Sequence, residues 1–185
     1  MTGDQVLPPA TLVLGGARSG KSAWAERLAD STAGLPVYLA PAEAGDAEMA
    51  ERIRRHRERR GPRWRTIEEP LEICAALQRE CRPGQVVLVD CLSLWLSNLM
   101  GAGRDVDQEV ARLLTALGAL EAPVVLVSNE VGMGIVPENA LARGFRDDLG
   151  RLNQAVARVA ELVVFVAAGL PLALKAPEGW RLPRL

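Results

Sequence analysis

Residues 15–22 read Gly15-Gly16-Ala17-Arg18-Ser19-Gly20-Lys21-Ser22, and no other stretch constrains the fold as tightly. The spacing matches G-x-x-x-x-G-K-[ST], a phosphate-binding loop that requires a strand before it and a helix after it. Both flanks comply. Thr11-Leu12-Val13-Leu14 is a short apolar run, and Ala23-Trp24-Ala25-Glu26-Arg27-Leu28-Ala29 is a strong helix former. Glycines let backbone N–H groups converge on phosphate oxygens, and the helix adds its positive end. Lys21 is suited to the β/γ-phosphates and the Ser22 hydroxyl to Mg²⁺. Of 22 basic residues only Lys21 and Lys175 are lysine, so a compact ammonium stands where a planar guanidinium would not serve. The competing reading is a glycine-rich turn that caps a helix.

Five apolar runs predict buried strands: Thr11–Gly15, Pro36–Ala40, Val86–Asp90, Pro123–Ser128 and Leu162–Ala167. They do not alternate with polar residues, which marks strands covered on both faces of a parallel sheet. Helical segments separate them, giving a βαβα order and an α/β fold. Helices are expected at 46–60, 70–81, 105–121 and 138–160. In the last, Leu141, Phe145, Leu149, Leu152, Val156 and Val159 form one face. Gly144 and Gly150 cost that helix roughly 1 kcal/mol each relative to alanine. With 185 residues, a single nucleotide-binding domain spanning 1–185 is expected, with irregular tails at 1–10 and 176–185.

Net charge is −1, so no global field draws the chain to nucleic acid or membrane. Residues 1–10 lack the basic and apolar regions of a signal peptide. The longest apolar run, Leu162 to Leu174, is broken by Gly169 and Pro171 and is too short to span a bilayer. Cys74, Cys81 and Cys91 form no C-x-x-C. They read as reduced thiols of a cytoplasmic protein, with Cys74 and Cys81 packing as small hydrophobes.

Asp90 ends an apolar strand, where a P-loop protein places the acid that holds Mg²⁺; alternatively it caps the next helix. His56 is the only histidine. By itself it reads as a core or surface residue, or as a nucleophile or general base. Eight arginines lie within residues 52–65. They fit a nucleic-acid surface with Trp64 stacking on a base, a solvated helix face, or a clamp on a triphosphate. Asn129, Glu130, Gly132 and Gly134 follow the fourth run, where α/β sheets bind ligands; a plain connecting loop is the alternative.

Taken together these pieces resemble the bifunctional cobalamin-biosynthesis family of adenosylcobinamide kinases and adenosylcobinamide-phosphate guanylyltransferases. The resemblance covers about residues 11–175. It is carried by the loop at 15–22, Glu48-Met49-Ala50, Arg52-Ile53 leading to His56, and Trp64-Arg65-Thr66 with Glu68. Its longest part is Asn129 to Asn139 with Arg143, Phe145-Arg146-Asp147, Gly150-Arg151 and Asn153-Gln154. Family members usually carry Arg-Pro four and five positions after the histidine. Here Gly61-Pro62 follows Arg60, and some members have Glu in place of Asp90.

The resemblance implies a P-loop, RecA-like, mostly parallel sheet with helices on both faces, and a homotrimer. It implies that His56 becomes guanylylated by GTP. Nucleotide contacts follow at 15–22, at Ala40, Pro41 and Ala42, at Arg57, Glu58, Arg59 and Arg60, and at Glu68 and Asp90, with Ser22 and Asp90 as metal ligands. The implied substrates are ATP or GTP, adenosylcobinamide and its phosphate, with Asn129, Glu130, Gly132 and Gly134 as candidate corrinoid contacts. The implied partners include neither nucleic acid nor a stably inserted membrane. Two other readings accommodate the loop: a different P-loop kinase of a small metabolite, and a nucleotide-hydrolysing switch whose arginine-rich helix binds a partner or RNA.

Overall fold

The computed structural model describes residues 6–41 and 60–182. In chain order the described elements are β1 (Ala10–Gly15), α1 (Lys21–Asp30), β2 (Leu35–Ala40), β3 (Arg65–Glu68), α2 (Ile73–Glu80) and β4 (Gln85–Asp90). They continue with α3 (Leu92–Gly101), α4 (Val106–Leu117), β5 (Val124–Asn129), α5 (Ala140–Val159), β6 (Leu162–Ala167) and β7 (Leu170–Lys175). One sheet runs β3-β2-β4-β5-β1-β6-β7. Every pair is parallel except β6 with β7.

Strands β1, β2, β4, β5 and β6 are largely apolar because both faces are covered. On one face Trp24, Ala25 and Leu28 of α1 pack over Val13, Leu88, Val125 and Val164. On the other, Ile73, Leu77, Trp95, Leu96, Leu113, Leu149 and Val156 of α2 to α5 pack over Leu12, Leu39, Val87 and Leu126. This is a parallel α/β layering with a single antiparallel edge. Among the described residues no helix is long and apolar enough to cross a membrane.

Three elements go beyond the sequence expectations. Strand β3 is short and charged, so it carried no apolar signal. Helix α3 shows no simple apolar stripe: Leu92, Trp95, Leu96 and Leu99 are fully buried, Ser93 and Asn98 make internal hydrogen bonds, and Ser97 is exposed. The apolar run 162–174 folds back on itself as β6 and β7. Its two-residue turn, Ala168 and Gly169, has left-handed φ values of 51° and 78°, as a tight hairpin requires. The expected helix 46–60 lies outside the described residues except for Arg60. At the ends, β1 already includes Ala10. Residues 176–182 carry no helix or strand, yet Trp180 and Leu182 pack on the face that α1 covers.

Helix α5 runs unbroken through Gly144 and Gly150. Its start is fixed by Asn139, whose Oδ1 accepts from Ala142 N at 2.7 Å. A Cβ built at Gly144 meets nothing within 4 Å. Gly144→Ala is therefore expected to stabilise the chain by about 0.5–1 kcal/mol, through a less disordered unfolded state. A calorimetric melting temperature that is unchanged or lower counts against this.

Candidate active site at the carboxyl edge of the sheet

Strand register brings the candidate residues into line. Glu68 pairs with Ala40 across β3 and β2. Asp90 closes β4 opposite Val127 of β5. Asn129 closes β5 opposite Gly15, the end of β1. Five carboxyl ends, Glu68, Ala40, Asp90, Asn129 and Gly15, thus lie side by side along one edge. The chain order breaks here, because the connection from β1 to β2 passes over β5 and β4. Such a crossover leaves a crevice where open α/β sheets take ligands.

The loop at 15–22 fills the β1 end of that crevice. Arg18 and Gly20 adopt left-handed φ values of 56° and 94°, which turns successive amides toward one side. Gly20 is the N-cap of α1 and has no side chain to cap it. The first-turn amides are thus left for an anion. Lys21 Nζ donates to Gly16 O at 3.0 Å. The loop has a floor: Gly169 N, at the β6–β7 turn, donates to Ser19 O at 2.8 Å. A Cβ at Gly15 would lie 2.5 Å from both Ser19 Oγ and Val166 O. A glycine here reflects close approach of backbone, not chance.

Asp90 is buried and is not the cap of α3; that position belongs to Cys91. The Asp90 carboxylate instead accepts a hydrogen bond from Tyr38 Oη at 3.2 Å through Oδ2. Burial, and next the Asp90 charge, push the Tyr38 phenol well above its ordinary value, so it stays a donor. The guanidinium of Arg60 lies 3.4 Å from the Tyr38 ring centroid and 3.5 Å from Glu26, both side chains buried. Cys91 Sγ contacts Ser93 Oγ at 2.9 Å, and burial with the Asp90 charge raises its thiol.

A second network anchors the β5 end. Asn129 Nδ2 donates to Ser93 Oγ at 2.6 Å, and Asn153 Nδ2 donates to Asn129 O at 3.0 Å. Ser128 Oγ donates to Asn153 Oδ1 at 2.6 Å, so α3 and α5 both hold this strand end. Glu130 N donates to Gly15 O at 3.0 Å, and its carboxylate accepts from Gly132 N at 2.6 Å. Beyond it, Met133, Ile135 and Val136 are exposed apolar side chains. At the other end, Asn98 Nδ2 donates to Pro41 O at 2.7 Å and to Pro70 O at 3.1 Å. That ties together the loops after β2 and β3.

The described part of the arginine run is internal structure. Arg63 donates to the carbonyls of Asp30, Thr32 and Gly34, and Arg65 pairs with Glu80. Trp64 is buried and donates from Nε1 to Asp30 Oδ1 at 3.0 Å. Its ring meets Tyr38 edge-on, which corrects the idea that it stacks on a nucleic-acid base. Cys81 and Cys74 pack in or against the core. Burial raises their thiols to about 12 and about 11, as expected of inert small hydrophobes. His56, Ala42, Arg57, Glu58 and Arg59 lie outside the described residues.

The donor set fits a nucleotide with Mg²⁺. Among the described residues no three His, Cys, Asp or Glu side chains cluster as a metal cage. Mg²⁺ is commonly held by one carboxylate, a hydroxyl and substrate phosphates instead, and Asp90 and Ser22 carry side chains of those two types. The buried Ser19 Oγ has no hydrogen-bond partner, a further polar atom at the cradle. Sequence reasoning missed Tyr38, Ser93 and Asn98. The signal for Tyr38 was available: a lone tyrosine inside an apolar strand needs a buried partner for its hydroxyl.

Comparison with known proteins bears on this site. A profile of the CobU family, described as cobinamide kinase / cobinamide phosphate guanyltransferase, matches residues 11–174. The bifunctional adenosylcobalamin biosynthesis protein CobP of Pseudomonas aeruginosa is 52% identical over 167 residues, covering 89% of this chain and 96% of that protein. The bifunctional adenosylcobalamin biosynthesis protein CobU of Escherichia coli is 40% identical over 179 residues, covering 89% and 98%. Among solved structures, the flagellar accessory protein FlaH of Methanocaldococcus jannaschii superposes with a TM-score of 0.54 at 13% identity, covering 95% of this chain and 82% of that one. A protein of Pyrococcus horikoshii gives 0.56 at 10% identity, covering 92% and 87%. At such identities the structural likeness carries the fold alone, which is the P-loop, RecA-like one. With the profile spanning the cradle, the strand-end acid and the His56 segment together, this chain belongs to the cobinamide kinase / cobinamide phosphate guanyltransferase family.

Proposed function

We propose that this chain runs both of the family's reactions, phosphorylating adenosylcobinamide and then attaching GMP through His56. The observation that carries the reading is the family match over 11–174, which takes in the phosphate loop and His56 in one unit. In the first reaction the aminopropanol hydroxyl of adenosylcobinamide attacks the γ-phosphorus of ATP or GTP. The bond from that phosphorus to the bridging oxygen breaks, and the nucleoside diphosphate leaves. Lys21 and the amides of Gly16 to Ser22 stabilise charge on the phosphate oxygens, with no reorganisation as it builds. Ser22 and Asp90 would hold Mg²⁺, which when bound would supply neutralisation of phosphate charge.

In the second reaction a neutral His56 ring nitrogen attacks the α-phosphorus of GTP, and pyrophosphate leaves. A phosphate oxygen of adenosylcobinamide phosphate then attacks the same phosphorus. The P–N bond breaks, adenosylcobinamide-GDP forms, and the imidazole is released neutral. The covalent intermediate divides one hard displacement into two easier ones. An imidazole with a pKa of about 6.5 is largely unprotonated at pH 7 and therefore nucleophilic.

Ala40, Pro41, Ala42, Arg57, Glu58, Arg59, Arg60 and Glu68 belong to the nucleotide side in this reading. Asn129, Glu130, Gly132 and Gly134 belong to the corrinoid side, beside the exposed Met133 and Ile135. Cys74, Cys81 and Cys91 form no disulfide, which supports a cytoplasmic setting. The internal roles of Arg63, Trp64 and Arg65 weigh against nucleic acid as partner. The homo-oligomer implied by the family resemblance stays part of the reading. Leu170, Leu172 and Leu174, exposed along the edge strand β7, are the apolar surface such an assembly would cover.

The test is covalent labelling. Incubated with GTP labelled at the α-phosphorus and then denatured, the wild-type chain is expected to retain acid-labile label. His56→Ala is expected to retain none, while still phosphorylating adenosylcobinamide. An unlabelled wild-type chain points to a different metabolite kinase or to a nucleotide-hydrolysing switch.

A further inference from the structure

We infer that Tyr38 is a positioning residue for Asp90, fixing its carboxylate at the phosphate cradle through the Oη–Oδ2 hydrogen bond. The inference rests on Asp90 being the metal acid proposed above. The phenol sits inside β2 and reaches across to the neighbouring strand β4, donating to one carboxylate oxygen at 3.2 Å. A carboxylate at a strand end turns freely about its last torsion unless one oxygen is tied. Tying Oδ2 leaves Oδ1 in a defined direction for a cation or its water shell.

The ring is itself held from several sides. Arg60 Cζ lies 3.4 Å from its centroid, and the Arg60 guanidinium is paired with Glu26 at 3.5 Å. Trp64 abuts the ring at 6.3 Å between centroids and 71° between planes. A cation over an aromatic face in a buried setting is a strong constraint. Two features argue against mere core filling. A phenylalanine would fill the same space without a hydroxyl to satisfy, and the hydroxyl reaches the one carboxylate that ends β4. Arg60 also stands four positions after His56 in sequence. The clamp on Tyr38 thus comes from the chain segment that carries the proposed nucleophile.

The experiment uses the full chain stripped with EDTA and loaded with N-methylanthraniloyl-GTP. Mn²⁺ is titrated in, and the fluorescence midpoint is read for wild type, Tyr38→Phe, Asp90→Asn and the double variant. Tyr38→Phe is expected to raise the Mn²⁺ midpoint about tenfold, the usual scale for losing an outer partner of a metal ligand. Asp90→Asn is expected to raise it at least as much, and the double variant no further. A Tyr38→Phe midpoint within about twofold of wild type, where Asp90→Asn does shift it, overturns the inference and leaves the metal acid standing. An equal further shift on top of Asp90→Asn also overturns it, since the hydroxyl then acts elsewhere. If Asp90→Asn moves nothing, the metal-acid reading fails and takes the inference with it. Melting curves on the same samples separate positioning from folding. The rise in Tm caused by the nucleotide in EDTA should persist in Tyr38→Phe, and the extra rise on adding Mn²⁺ should shrink. Loss of the metal-free rise assigns the phenol to the fold and overturns the inference.

Discussion

Gly15→Ala displaces the phosphate cradle, and nucleotide binding falls with it. The added Cβ would sit 2.5 Å from Ser19 Oγ and 2.5 Å from Val166 O. The serine hydroxyl can rotate away. The Val166 carbonyl cannot, because it belongs to the backbone of β6, the strand paired with β1. The loop must therefore move, and overpacking of this kind costs about 1–3 kcal/mol of stability. The larger effect is on chemistry. A shift of the order of an ångström in a group that positions reacting atoms can cost about 10²-fold in rate. Calorimetric titration with GTP and single-turnover phosphorylation of adenosylcobinamide should both collapse, while circular dichroism shows a folded chain. Wild-type affinity in Gly15→Ala would mean that β1 and β6 separate readily.

Lys21→Met is expected to lower kcat for phosphoryl transfer by about 10²–10³-fold, the usual cost of removing one charge-stabilising donor. The methionine keeps an unbranched apolar stem and removes the ammonium. That ammonium already reaches the loop carbonyl of Gly16 at 3.0 Å, so its side chain is bent over the cradle. A change confined to KM would place Lys21 in ground-state binding alone. A kcat loss with a melting temperature near wild type is the outcome expected of a transition-state charge.

Gly144→Ala, His56→Ala and Tyr38→Phe probe different layers: the intrinsic stability of α5, the covalent step, and the orientation of Asp90. Because the first adds a methyl group to open space and the other two alter groups assigned to the chemistry, stability and chemistry can be read apart.

The sequence alone determined the loop at 15–22, the apolar parallel strands β1, β2, β4, β5 and β6, and the family. Each rests on local pattern: a spacing that backbone geometry demands, runs buried on both faces, and motifs in fixed order. What only the tertiary structure decided is non-local. Strand β3 forms from charged residues because β2 offers it an edge. Helix α3 shows no simple amphipathic period because two of its polar residues, Ser93 and Asn98, are taken up by tertiary hydrogen bonds, and β7 exists because a left-handed two-residue turn folds one apolar run in half. Asp90 could have been a helix cap; Tyr38, 52 positions away in sequence, gives its carboxylate another partner. Trp64 and Arg63 looked available for ligands until α1 and its following loop supplied their acceptors. Such pairings depend on which strands become neighbours, and that order, β3-β2-β4-β5-β1-β6-β7, is written in no local stretch of the chain.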